Sequence, residues 1–227
     1  MKITYYGHSC ILVEANGVRI IIDPFLSGNP NSGITPEDIQ VDAVVLTHGH
    51  SDHFGDTIQI AKQNDCPVIA MFELAEYCES QGTKSFGMSI GGSYSFEGFK
   101  VKLTQAFHSS SISVGDSWIY AGMPAGVLLT IGDQTFYHAG DTGLFGDMRL
   151  IGEMNSIDCA ALPIGDVFTM GPEDALLAAQ WIRTKSVIPV HYNTFPAIEQ
   201  DPKDFCDRLR QTGVEGYPLR AGESIDI

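Results

Sequence analysis

The segment VVLTHGHSDHFGD, Val44 to Asp56, puts three of the chain's seven histidines within six positions, directly after an apolar run. The run reads as a buried strand. A polar loop capping that strand is one account of the cluster, and a metal site is the other. His48 and His50 stand two apart where the strand ends, so extended backbone points both side chains the same way. Asp52 and His53 follow in a tight segment that can turn them back toward the same point. Imidazole nitrogen and carboxylate oxygen are donors that zinc and related divalent ions accept.

The same pattern recurs downstream. His108 in LTQAFHSSS ends another apolar strand, Asp141 in FYHAGDTG sits in a Gly-flanked turn after a strand, and His191 in VIPVHYNTFP ends a third. Strand C-terminal edges are where a layered α/β protein gathers its site, so recurrence at matching edges argues for one shared cavity. His8 and His138 are candidates for bonding a ligand residue or contacting substrate; with Asp52 they form the expected catalytic set. Asp23, ending IIIDP, is expected to accept a hydrogen bond from a ligand histidine and so fix its tautomer. Met170, Phe168 and Phe195 are candidates for a substrate pocket. The glycines of GGSYSFEGF and SGNPNSG lack phosphate-loop spacing and read as turns.

Patterning predicts strands over 2–6, 10–15 and 18–22, with Asn16-Gly17 a hairpin turn. Val41–Thr47 and Val68–Met71 read as strands, and Asp56–Asn64 and Glu73–Gln81 as helices. A second strand-rich half follows, with strands at 93–96, 99–107, 126–131 and 134–138. Beyond it come helix 148–154, strand 158–164, helix 172–184, strand 187–190, helix 202–212 and a terminal strand. Hairpins first and strand–helix alternation later predict two mixed sheets packed face to face with helices outside. Neither linker nor repeat interrupts the 227 residues, so a single domain, 1–227, is expected.

With 44% apolar residues the chain can bury a large core. Its 13 Lys+Arg against 28 Asp+Glu give a formal charge of −15. Binding a phosphate backbone relies on Lys and Arg displacing counterions, so long nucleic acids and anionic membranes are poor partners. Five scattered cysteines without a C-x-x-C pair argue against a disulfide framework and for a reducing cytoplasm. No signal-peptide core or membrane-length apolar run is present.

His-x-His-x-Asp-His, then a lone histidine, a Gly-Asp-Thr and a late histidine at a strand end, resembles the metallo-β-lactamase superfamily. YYGHSCILVE, IIDPFLSGNP, PIGDVFTMGPEDA and VIPVHYNTFP resemble its uncharacterised metal-dependent hydrolases, close to the lactonase-like branch. The resemblance implies an α/β, four-layer αββα sandwich. It also implies two divalent metal ions, zinc or else manganese, iron or nickel. His48, His50 and His108 would hold one, Asp52, His53 and His191 the other, and Asp141 would bridge them, one oxygen to each. The implied activity is hydrolysis of an ester, lactone or phosphoester of a small molecule, with a possible homo-oligomer. A phosphodiesterase or nuclease of the same superfamily is the alternative. A di-iron oxidoreductase is a weaker one, because such relatives typically carry a carboxylate between the first two histidines, where this chain has Gly49.

Overall fold

The hairpin residues Asn16 and Gly17 both take positive φ (50° and 82°), the conformation a two-residue turn between twisted strands demands. They join β2 (Ile11–Ala15) to β3 (Val18–Ile22), and β1 (Lys2–Tyr5) pairs antiparallel with β2. In this computed structural model, which describes residues 1–227, strands β4 (Ala43–Val45), β5 (Pro67–Met71) and β6 (Lys84–Met88) extend that sheet in parallel. Helices α1 (Ser51–Phe54), α2 (Thr57–Gln63) and α3 (Phe72–Ser80) make the crossovers.

The second sheet begins with β7 (Ser93–Ser95) and β8 (Lys100–Gln105). A separate hairpin, β9 (Ser111–Val114) and β10 (Ser117–Tyr120), precedes β11 (Ala125–Ile131) and β12 (Gln134–His138). Helix α4 (Met148–Met154), β13 (Cys159–Pro163), α5 (Pro172–Trp181), β14 (Ser186–Val190), α6 (Pro202–Gln211) and β15 (Glu215–Gly216) follow. The last strand, β16 (Ser224–Asp226), returns to pair with β1, giving sheet orders β16-β1-β2-β3-β4-β5-β6 and β15-β14-β13-β12-β11-β8-β7.

Strand alternation explains the layering. Ile20, Ile22 and Val45 face Val101, Val127 and Ile188 in a core between the sheets. Their neighbours Ile21, Val44 and Leu46 point the other way and pack with Ile60 and Leu74 of α2 and α3. Leu128, Tyr137 and Leu162 pack similarly with Ala178, Phe205 and Leu209 of α5 and α6. Period-two side chains with both faces apolar require cover on both sides, and the result is the four-layer αββα sandwich. No helix is long and apolar enough to cross a membrane.

Three readings need correction. The strand expected over 41–47 is regular only over Ala43–Val45. Leu46 N–H still donates to the Ile69 carbonyl, but the Thr47 carbonyl turns to the Ala125 N–H of the other sheet as the chain departs to present His48. Lys84–Met88, unassigned from sequence, is the sheet's edge strand; its mixed burial hides it from pattern reading. The β9–β10 hairpin, also unassigned, is almost wholly exposed and so lacks apolar alternation.

Candidate metal centre

Beyond β4, Leu46 and Thr47 carry the chain to His48 and His50, and the single helical turn α1 presents Asp52 and His53. Gly55 ends that turn at φ 40°, and a Cβ there would press into the Pro24 carbonyl and lie 2.6 Å from Phe25 Cα. Only glycine lets the loop close against 24–25. His108 follows β8, Asp141 follows β12 through Gly140 (φ 64°), and His191 follows β14. His8, Asp23 and His191 themselves take left-handed backbone, with φ of 55°, 49° and 55°. Such strain in non-glycine residues persists where surrounding structure enforces it, and the His191 N–H donates to the His8 carbonyl at 2.7 Å.

The predicted ligand residues come together in two groups. In one, His48 Nε2 lies 3.0 Å from His50 Nδ1, and His108 Nε2 lies 3.3 Å from the same nitrogen. In the other, ligand atoms of His8, Asp52, His53 and His191 all fall within 4.8 Å of one another. Asp141 stands between them. Its Oδ2 is 4.0 Å from His48 Nε2, 3.6 Å from His108 Nε2 and 3.0 Å from His191 Nε2, and its Oδ1 is 3.2 Å from His53 Nε2. One oxygen, Oδ2, therefore faces members of both groups, where sequence reading gave one oxygen to each. His53 Nε2 and Asp141 Oδ1 are buried without a hydrogen-bond partner. Buried polar atoms are normally satisfied, and two orphaned donors aimed at one point fit a cation. Asp52 (25% exposed) and His108 (16%) mark the open side, since His48 and His53 expose nothing.

Tautomers follow from the bonds behind the ring. Asp23 Oδ2 accepts from His53 Nδ1 at 2.7 Å and from the Thr47 hydroxyl at 2.6 Å, while its Oδ1 accepts the Thr47 N–H. Having given its only proton to Asp23, the Thr47 oxygen accepts from His48 Nδ1, 3.0 Å away. Both imidazoles thus engage Nδ1 behind the ring and turn Nε2 inward, the nitrogen left for ligation. Asp23 occupies the expected place; its extension to His48 through Thr47 had no sequence signal beyond adjacency.

His8 sits closer in than expected. Its Nε2 donates to Asp52 Oδ2 at 3.0 Å, and the Thr194 hydroxyl donates to its Nδ1 at 2.8 Å. His138, expected in the catalytic set, has a different job. Its Nε2 donates to the Ser9 carbonyl at 2.8 Å, and its Nδ1 accepts the Gly140 N–H at 3.0 Å. With both nitrogens spent on backbone it fastens the His8–Ser9 loop to the turn carrying Asp141, and none remains for substrate. Met170 is buried in the core beside α5. Phe168 and Phe195 are exposed.

Burial lowers the His48 pKa well below 6.5 and, only partly offset by Asp52, brings that of His8 down to about 4. His53 goes the other way: burial opposes its charge, but Asp141 and Asp23 prevail and raise it well above 6.5. Burial likewise opposes ionisation of Asp141, yet His53 and His191 hold it well below 3.8. The pocket therefore favours positive charge between Asp23 and Asp141.

This sandwich, with imidazoles and carboxylates gathered at its strand ends, defines a metal-dependent hydrolase. The chain belongs to the β-lactamase superfamily, whose domain model matches residues 2–191. It is 58% identical over 229 residues to a "UPF0173 metal-dependent hydrolase" of Bacillus pumilus (strain SAFR-032), and 56% identical to one of Bacillus cereus (strain B4264), with all of each chain covered. Among solved structures it is similar to Igni18, a metallo hydrolase of Ignicoccus hospitalis KIN4/I. There the TM-score is 0.90 at 38% identity, over 99% of this chain and 97% of that one.

Proposed function

We propose that the two groups form a dinuclear centre, zinc at both positions, that hydrolyses an ester, lactone or phosphoester bond of a small molecule. The observation that carries this is Asp141, whose Oδ2 faces His48 and His108 on one side and His191 on the other. His48, His50 and His108 would hold one ion. Asp52, His53 and His191 would hold the second, with His8 beside them. Nitrogen and carboxylate donors suit zinc, though manganese, iron and nickel accept the same set. Bound ions would supply Lewis acidity, bringing the pKa of water from 15.7 to about 7.

The chain's own residues supply the rest. Asp23 and Thr47 hold His53 and His48 in the ligating tautomer, and His138 keeps the Asp141 turn in register with the His8 loop. His8 engages Asp52 Oδ2, which would leave the other carboxylate oxygen to orient water and accept its proton. Small size and low charge of substrate fit the acidic surface, and we place the enzyme in the cytoplasm, acting without nucleic acid or membrane. All five cysteines are unpaired, as a reducing compartment allows.

The test is metal analysis joined to turnover. Protein stripped by chelator and reloaded should hold two ions per chain and cleave model esters or phosphoesters only when loaded. Failure to bind any transition metal would sink the proposal.

A further inference from the structure

The three loops around the centre expose aromatic side chains. Phe107 (57% exposed) immediately precedes His108, its N–H donating to Thr142 Oγ1 beside Asp141. Phe168 (53% exposed) lies in the 166–170 loop, which Met170 N–H fastens to the Thr142 carbonyl at 2.9 Å. Phe195 (38% exposed) follows His191, its ring 5.6 Å from that of His8. Exposed aromatics scattered singly carry no message, but a group on one rim marks a binding surface.

Charge points the same way. None of the 13 lysines and arginines lies in segments 6–10, 23–35, 47–56, 105–125, 138–147, 164–171 or 190–201, which frame the centre. The ion-pair partners of Asp23, Asp52 and Asp141 are all histidines. The same segments carry Asp116, Asp166 and Glu199. Recognition of a phosphate or carboxylate group ordinarily uses Arg forks or Lys point charges, and the segments that frame the centre supply neither. Bound dications would accept an ester carbonyl or a phosphoester oxygen alike, so the rim decides between them.

We infer that the substrate is an uncharged carboxylic ester or lactone with an apolar chain, which lies across Phe107, Phe168 and Phe195. This rests on the hydrolase reading above. In the reaction, water oxygen bonds to the acyl carbon and the acyl C–O bond to the alcohol breaks. One proton of the water passes to the departing alkoxide, and the other is released as the carboxylic acid ionises.

The experiment compares metal-loaded protein of known stoichiometry on p-nitrophenyl acetate, butyrate and octanoate, and on bis(p-nitrophenyl) phosphate. We expect kcat/KM to rise roughly two- to fourfold per added methylene, the upper figure being full burial, and the phosphodiester to be the poorest substrate. Phe168→Ser and Phe107→Ser should flatten the chain-length slope. Independently of turnover, metal-free protein should bind octanamide more tightly than acetamide by calorimetry, with a negative heat-capacity change. A phosphodiester turned over faster than every ester, or esters cleaved with no chain-length slope, would overturn the inference while leaving the hydrolase reading intact. Loaded protein that cleaves none of the four, yet still prefers octanamide, would overturn the hydrolase reading instead.

Discussion

Asp23 makes the site at the scale of single residues. One carboxylate, held at φ 49°, fixes His53 directly and His48 through Thr47. Asp23→Asn keeps the shape but replaces an acceptor-only oxygen, so a metal-competition titration should show affinity about 10–100-fold weaker. Asp141→Asn removes the charge shared by both groups and should lower metal content toward one ion per chain, with turnover down by orders of magnitude. His8→Ala is the paired variant. Because the His8 proton is given to Asp52, both ions should stay while turnover falls; a variant holding one ion would instead make His8 a ligand. The seven ligand candidates were legible from His-x-His-x-Asp-His and from donors at strand ends. The His8–Asp52 pair was not, since its members lie 44 positions apart and a left-handed residue brings His8 inward.

Among the elements, the long apolar strands and the later helices could be read because their inner and outer side chains alternate between two cores. The edge strand β6 and the β9–β10 hairpin could not, because exposed strands need no apolar period. That hairpin nevertheless touches the site at its base. Gly49, between His48 and His50, donates its N–H to Ser110 Oγ, and a Cβ at 49 would lie 2.8 Å from Ala121 Cβ and 3.1 Å from Ile112 Cγ1. Gly49→Ala should therefore overpack the hairpin base, costing about 1–3 kcal/mol. Differential scanning calorimetry of the metal-free protein should register this as a melting point lower by roughly 3–10 °C. An unchanged melting point would mean that the hairpin gives way freely.

For the whole molecule, pH acts from both ends. Burial pushes the thiols of Cys78, Cys159 and Cys206 up to about 12 and that of Cys66 to about 11. Folded thiols hold their protons more tightly than unfolded ones, so this stability is complete below about pH 9 and is lost as pH climbs toward 12. A thiol reagent at pH 8 should accordingly find none of the five cysteines before denaturant and all of them after. On the acid side, the His8 pKa is lowered to about 4. Its contribution is present above about pH 6.5 and is lost as pH falls toward 4. Metal occupancy and turnover should decline together below about pH 6, because ligand imidazoles must be neutral. Equilibrium dialysis at pH 4 with both ions retained would contradict the imidazole-rich assignment. Composition made the acidic surface legible from the outset; the cation-free rim needed the fold, since its segments are scattered over nearly the whole chain.

The contact at Gly49 also sets an order on descent. A lineage acquiring an acidic side chain at position 49 would have to place it where Ala121 and Ile112 now sit. Shortening or re-rooting the hairpin would have to come first, because the acidic substitution is accepted only in a background where that space is already open. The reverse path carries no such condition: loss of the carboxylate can precede growth of the hairpin. Gain of a carboxylate at position 49 is therefore the conditional step, and its loss the unconditional one.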